Sequence, residues 1–222
     1  MMFNYLILGF CILISLSASL YIQVTYRYYA NVKLEKSISG KEVAEKILKK
    51  NKLDLEIEKI YGSLTDHYDP RSKILRISGD NFTNSSISSI AVAAHEVGHA
   101  LQDETGYFFM KFRTKIAPTI SFVSYIGYLA VVIGLSSSLT KLMTIGVIME
   151  AIISIFNFIT LPVEINASRR ALQELKSLNC FTTYELRGVK KVLRAAAFTY
   201  VAGTLTSVLE IIRLINIRDR ND

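Results

Sequence analysis

The stretch Ser86-Ile-Ser-Ser-Ile-Ala-Val-Ala-Ala-His95-Glu96-Val-Gly-His99-Ala-Leu-Gln-Asp-Glu104 decides how the rest of the chain is read. Its apolar residues repeat with a helical period: Ile87, Ile90, Ala94, Val97 and Leu101 fall on one face, and the two histidines and Gln102 on another. Ser85 or Ser86 can cap the start and Gly106 can stop the end, which predicts a helix from about Ile87 to Glu104. Residues four apart on a helix are separated by about 40° of rotation and about 6 Å of rise, so His95 and His99 project side by side. Glu96 lies about 100° round from His95, alongside the pair. The small residues Ala91, Ala93, Ala94, Gly98 and Ala100 let a second element come close.

Outside this stretch the 222 residues divide sharply. Mean hydropathy is +0.31, high for a soluble protein. No charge occurs from Met1 to Tyr26 or from Ile116 to Thr140. Leu142–Val163 carries only Glu150, and Ala195–Ile212 only Glu210. About 20 apolar residues span a bilayer core. These runs predict three transmembrane helices and, from the shorter last run, a possible fourth. The first run is too long and too poor in cations for a signal peptide, so it reads as an uncleaved anchor.

The segments 27–115 and 164–194 hold 15 and 7 of the 26 lysines and arginines. The positive-inside rule puts both in the cytoplasm and the N-terminus outside. Arg213, Arg218 and Arg220 sit awkwardly with a fourth full span, which would place them outside. The net charge of +7 reads as membrane topology and anionic headgroup contact. No nucleic-acid-binding motif is present to give it another meaning. Cys11 and Cys180, one in a span and the other in a reducing compartment, are not expected to pair.

Five segments follow: an anchor (1–26), a cytoplasmic domain with the histidine helix (27–115), a transmembrane hairpin (116–163), a second cytoplasmic helical segment (164–194), and a possible fourth membrane helix with a basic tail (195–222). Within 27–115, Gly40–Asn51 reads as an amphipathic helix with Val43, Ala44, Ile47 and Leu48 on its stripe, packed on the domain or lying on the membrane. Residues 54–78 alternate with period two around the turn Asp69-Pro-Arg-Ser72, which predicts two or three short strands. The expected fold is a mainly α membrane protein: a domain with the histidine helix beside a small β-hairpin or short sheet, carried on three or four transmembrane helices.

The motif His95-Glu96-Val97-Gly98-His99 is H-E-x-x-H, which holds zinc between its histidines and uses its glutamate as general base. Zinc supplies a Lewis acid and brings the pKa of a coordinated water down to about 7. The bland alternative is two histidines solvated on a helix surface. A catalytic site needs a third protein ligand. The extended H-E-x-x-H-x-x-G-x-x-H pattern is absent, and His67 is the only other histidine. Acidic candidates are Asp103, Glu104, Glu150, Glu164, Glu174, Glu185 and Glu210. The hairpin returns the chain to the motif's side of the membrane near Glu164. Glu150 lies about 21 Å deeper along that helix. Glu164 is favoured, with Glu174 next. The bland reading of Glu164 is a helix-end carboxylate paired with Arg169 or Arg170. Glu150 in a span must face a partner such as Lys141 or a polar cavity.

Three blocks then resemble the YugP-type membrane zinc metallopeptidases: Leu64–Ser78, Ala91–Gln102 and Leu161–Ala171. The layout is also similar to the HtpX-type membrane gluzincins, which implies a gluzincin-like zincin domain. Their third ligand is a glutamate opening an E-x-x-A-D block after a transmembrane hairpin. The matching block is Glu164-Ile-Asn-Ala-Ser168, so the resemblance implies Glu164 as ligand. Ser168 departs from it, standing where those proteins carry aspartate. The resemblance further implies one zinc ion per chain and an edge strand that binds substrate backbone, with His67 or Tyr68 a candidate contact to the oxyanion. His67 can equally be a turn histidine exposed to water.

The expected function is a membrane-anchored zinc endopeptidase acting on peptides or membrane proteins at the cytoplasmic face. An intramembrane protease would bury its H-E-x-x-H in a span, whereas this helix is bracketed by serines and by Asp103 and Glu104. The non-enzymatic alternative is a membrane scaffold that binds partners through the 40–51 helix. The oligomeric state is not legible in the residues.

Overall fold

The computed structural model describes residues 2–137 and 139–219. Arg220, grouped above with the C-terminal cations, lies outside the described residues. The elements in chain order are α1 (Met2–Ala30), α2 (Gly40–Lys50), β1 (Glu56–Ile60), β2 (His67–Asp69), β3 (Ile74–Ser78), α3 (Gly79–Thr83), α4 (Ile87–Glu104), α5 (Phe108–Ser137), α6 (Thr140–Ser177) and α7 (Thr183–Arg218). Four of these, α1, α5, α6 and α7, are long and apolar enough to cross a membrane. The protein is therefore mainly α, with one small mixed sheet and four candidate spans. The apolar run after Ala195 is the second half of α7 rather than a helix of its own.

The chain packs as two compact units. One is built from parts of α1, α5, α6 and α7 within residues 2–19, 112–162 and 198–219. Its surface carries Phe10, Leu13, Phe122, Ile155 and Phe158 exposed, as a lipid-facing surface requires. Glu150 makes no salt bridge to Lys141 among the described residues. Cys11 and Cys180 are both free thiols.

The other unit comprises Leu20–Lys111 and Val163–Ala197. Its core joins Val43, Ala44 and Ile47 of α2, Leu75 and Ile77 of β3, Ile90 and Val97 of α4, Val163 and Leu175 of α6, and Val189 of α7. The stripe of α2 is thus buried in this unit and does not lie on a membrane. A capping box at Ser39 and Glu42 starts that helix. The sheet order is β1-β3-β2, with β1 parallel and β2 antiparallel to β3. The turn after β2 is built by Asp69, whose carboxylate accepts from the Arg71 N–H at 2.9 Å and the Ser72 hydroxyl at 2.7 Å. Arg76 at the centre of β3 reaches Glu58 on one side and Asp69 on the other, tying the three strands together. This leaves β2 as an edge strand beside α4.

Candidate metal centre

The α4 helix begins at Ser86, whose side chain accepts from the Ser89 N–H at 3.1 Å, and ends before Gly106, which sits at φ +65°. Its middle is pressed against α6. A Cβ built on Gly98 would stand 2.6 Å from the Ala167 carbonyl oxygen, so only glycine permits this crossing. The contact brings the next turn of α6 over the histidines. A Gly98→Ala protein is expected to lose about 1–3 kcal/mol of stability, because the clash is with backbone and not with a side chain that can swing away. Denaturation of the full-length protein in detergent checks this, and an unchanged transition would contradict the close crossing.

Under that crossing three donor atoms converge. His95 Nε2 lies 3.2 Å and His99 Nε2 3.5 Å from Glu164 Oε2. All three ligand atoms lie within 4.8 Å of one another, and the Glu164 side chain is 2% exposed. With metal–ligand bonds of about 2.0–2.2 Å, the edge of a tetrahedral zinc site is about 3.3–3.5 Å. The two His–Glu separations fit that edge, and the donor set fits zinc with one position left open. The imidazole rings stand nearly perpendicular, 83° apart, so their Nε2 atoms approach from different directions.

The far side of each ring is also held. His95 Nδ1 meets the Ser168 hydroxyl at 3.2 Å. His99 Nδ1 meets Gln102 Oε1 at 3.0 Å. Gln102 is fully buried and its amide nitrogen donates to the Val163 carbonyl at 2.7 Å and to Asn166 Oδ1 at 3.0 Å. Asn166 Oδ1 also accepts from Arg170 Nε at 2.9 Å. A guanidinium can only donate. Arg170 therefore orders the chain: Asn166 presents its oxygen, Gln102 turns its NH₂ toward that oxygen, and Gln102 Oε1 faces His99. In the neutral ring the proton then sits on Nδ1, and Nε2 keeps its lone pair on the Glu164 side.

Glu96 is buried beside this cluster, and its Oε2 accepts from the Tyr68 N–H at 3.0 Å. That N–H points from the open edge of β2, away from β3. Burial pushes the Glu96 carboxyl up to about 7, with the charges of Glu164 and Asp66 adding to the rise and His95 and the Tyr68 N–H opposing it. In the metal-free protein a buried carboxylic acid is expected to ionise around pH 7, and a divalent cation at the three donors should move that midpoint down. The carboxyl infrared band, assigned by its loss in Glu96→Gln, reads it. A midpoint near 4.5, that of an ordinary glutamate, would contradict the burial effect.

The other sequence candidates fall elsewhere. Glu164 is inside α6 and not at a helix end; it meets the histidines rather than Arg169 or Arg170. Glu174 pairs with Lys50 at 2.9 Å. Asp103 accepts from the Tyr68 hydroxyl at 2.8 Å and pairs with Lys73. Glu185 caps the start of α7 through Thr182. His67 is exposed, with Nδ1 2.9 Å from the Thr65 carbonyl. Asn166 and Arg170 were not anticipated as part of the cluster. Gln102 had one signal, its place three residues after His99 on the same face.

The site and fold define a class. The chain belongs to the family described as "Putative neutral zinc metallopeptidase", which matches residues 4–219. It is 39% identical over 213 residues to the protein named "Putative membrane protease YugP" of Bacillus subtilis (strain 168), over 94% of this chain and 95% of that one. No solved structure matches the chain. With its four apolar helices, the protein is a multi-pass membrane member of a zinc metallopeptidase family.

Proposed function

We propose that the protein is a zinc-dependent endopeptidase that cleaves protein chains at the cytoplasmic face of the membrane. One observation carries the reading: a buried His95–His99–Glu164 cluster with the buried Glu96 carboxyl beside it. His95, His99 and Glu164 would hold one zinc ion per chain. When bound, zinc supplies a Lewis acid for the peptide carbonyl and an activated water. Glu96 would take the proton of the attacking water and return it to the leaving amine nitrogen. Ser168 and Gln102 orient the two imidazoles.

The open edge of β2 can accept an extended substrate as an added strand. We assign the contact there to the Tyr68 carbonyl, since the Tyr68 N–H is engaged by Glu96, its hydroxyl by Asp103 and His67 Nδ1 by Thr65. The cation excess in 27–115 and 164–194 supports a cytoplasmic catalytic domain, an outer N-terminus, an anchor at 1–26 and a hairpin at 116–163. A scaffold working through the α2 stripe is disfavoured, because Val43, Ala44 and Ile47 are fully buried.

The test is Glu96→Gln in the full-length protein. Peptide cleavage is expected to fall by about a thousandfold while zinc binding stays, since the side chain moves protons and is not a ligand. Equal cleavage by wild type and variant would sink the endopeptidase reading.

A further inference from the structure

On the outer side of the helix pair α6–α7 lies a groove of about 340 Å³. Each helix contributes residues at i, i+3, i+4 and i+7 spacing. From α6 come Ile165, Ser168, Arg169 and Leu172, and from α7 Lys190, Leu193, Arg194 and Ala197. The floor is aliphatic: Leu172, Leu193 and Ala197, with the half-exposed Ile165 at its end. The rim is cationic: Arg169, Lys190 and Arg194 are all exposed, and their charged groups have no ion pair or hydrogen bond among the described residues. A floor without charge beneath three unpaired cations calls for a ligand with an anionic head and an apolar tail.

Position along the helices says where such a ligand comes from. The charge-poor run of α6 ends at Val163 and that of α7 begins at Ala195. At 1.5 Å per residue, Arg169 lies about 9 Å past the first limit and Lys190 about 8 Å before the second, with Arg194 adjoining it. The headgroup layer is about 5–8 Å thick on each side of the hydrocarbon. The three cations therefore bracket the headgroup layer, Arg194 at its inner edge and Lys190 and Arg169 at its outer edge, with Ile165 and Ala197 at the membrane end of the groove. Basic pockets between membrane helices at this level suit anionic headgroups.

We propose that this groove binds one anionic phospholipid of the surrounding membrane, its phosphate held by Arg169, Lys190 and Arg194 and an acyl chain laid on the aliphatic floor. The site is distinct from the metal centre but shares a wall with it, because Ser168 lines the groove and its hydroxyl meets His95. Lipid seated there packs against the residue that orients a candidate ligand. The inference does not depend on the endopeptidase reading, and its test needs no cleavage assay.

The experiment counts lipid bound to the full-length protein by native mass spectrometry from non-ionic detergent, with phosphatidylglycerol or phosphatidylcholine added. Wild type is expected to retain one phosphatidylglycerol per chain about tenfold more tightly than phosphatidylcholine. Lys190→Gln with Arg194→Gln should abolish that preference. Arg187→Gln with Lys191→Gln removes the same charge at the same spacing from the same helix, outside the groove, and should leave it intact. Ala197→Phe, which fills the floor and keeps every charge, should also lower retention. Equal losses from the two charge pairs would reduce the effect to general surface attraction and overturn the groove. So would absence of a preference in wild type, unaltered retention in Ala197→Phe, or displacement of the lipid by millimolar inorganic phosphate, which would mark a free-anion site instead.

Discussion

Glu164→Ala is expected to cost the protein its metal. Wild type purified in detergent should hold about one zinc per chain, and the variant should bind zinc at least about a hundredfold more weakly, beyond the 10- to 100-fold that removal of an outer partner causes. Glu164 supplies the only carboxylate oxygen of the cluster, 3.2 and 3.5 Å from the two imidazole nitrogens, and it is 2% exposed. Water cannot readily take its place in so closed a position. His99→Ala should behave in the same way. Glu174→Ala is the matched control, because Glu174 was the runner-up in sequence and is paired with Lys50 in the structure. Metal content by mass spectrometry and affinity by chelator competition read the outcome. Full zinc in Glu164→Ala, or loss in Glu174→Ala, would displace Glu164 from the site.

Gln102→Leu should weaken zinc binding by about 10- to 100-fold while leaving all three donors in place. The side chain is fully buried and connects His99 Nδ1 to Asn166 and through it to Arg170. Without it the ring loses the acceptor that keeps the proton on Nδ1, and the tautomer with Nε2 protonated can no longer donate a lone pair to the metal. Gln102→Glu keeps an acceptor for Nδ1 but sets a second oxygen against the Val163 and Asn166 oxygens, so it should recover only part of the loss. The chain has three histidines, so ¹⁵N-labelled imidazoles can be assigned one by one. In the zinc-loaded wild type His99 should show a protonated Nδ1 and a metal-bound Nε2. Unaltered zinc affinity in Gln102→Leu would leave the network a packing role only.

Much of this site is local information. The period of residues 87–104 carried the helix and its two caps, and the four-residue step between the histidines carried their convergence. Glu164 followed from counting apolar residues out and back across a bilayer, and the E-x-x-A block strengthened it. The sheet was legible only in part. Alternation and the Asp69–Ser72 turn predict the β2–β3 hairpin, because a turn encodes an antiparallel pairing between neighbours. The parallel pairing of β1 with β3 has no such local code; Leu55 and Ile57 bring β1 onto the same core that Leu75 and Ile77 of β3 enter.

The sequence alone determined that the chain is built on apolar spans and carries an H-E-x-x-H helix within a basic segment, because hydropathy and helical period are properties of consecutive residues. The tertiary structure decided how closely the Glu164 carboxylate meets the histidines, where the His99 ring carries its proton, and how burial raises the Glu96 carboxyl. Each of those depends on an approach between distant segments: Gly98 against Ala167, Tyr68 against Glu96, Arg170 through Asn166 to Gln102. Hydrogen-bond order and desolvation arise only where chains cross, and no reading along one segment contains them.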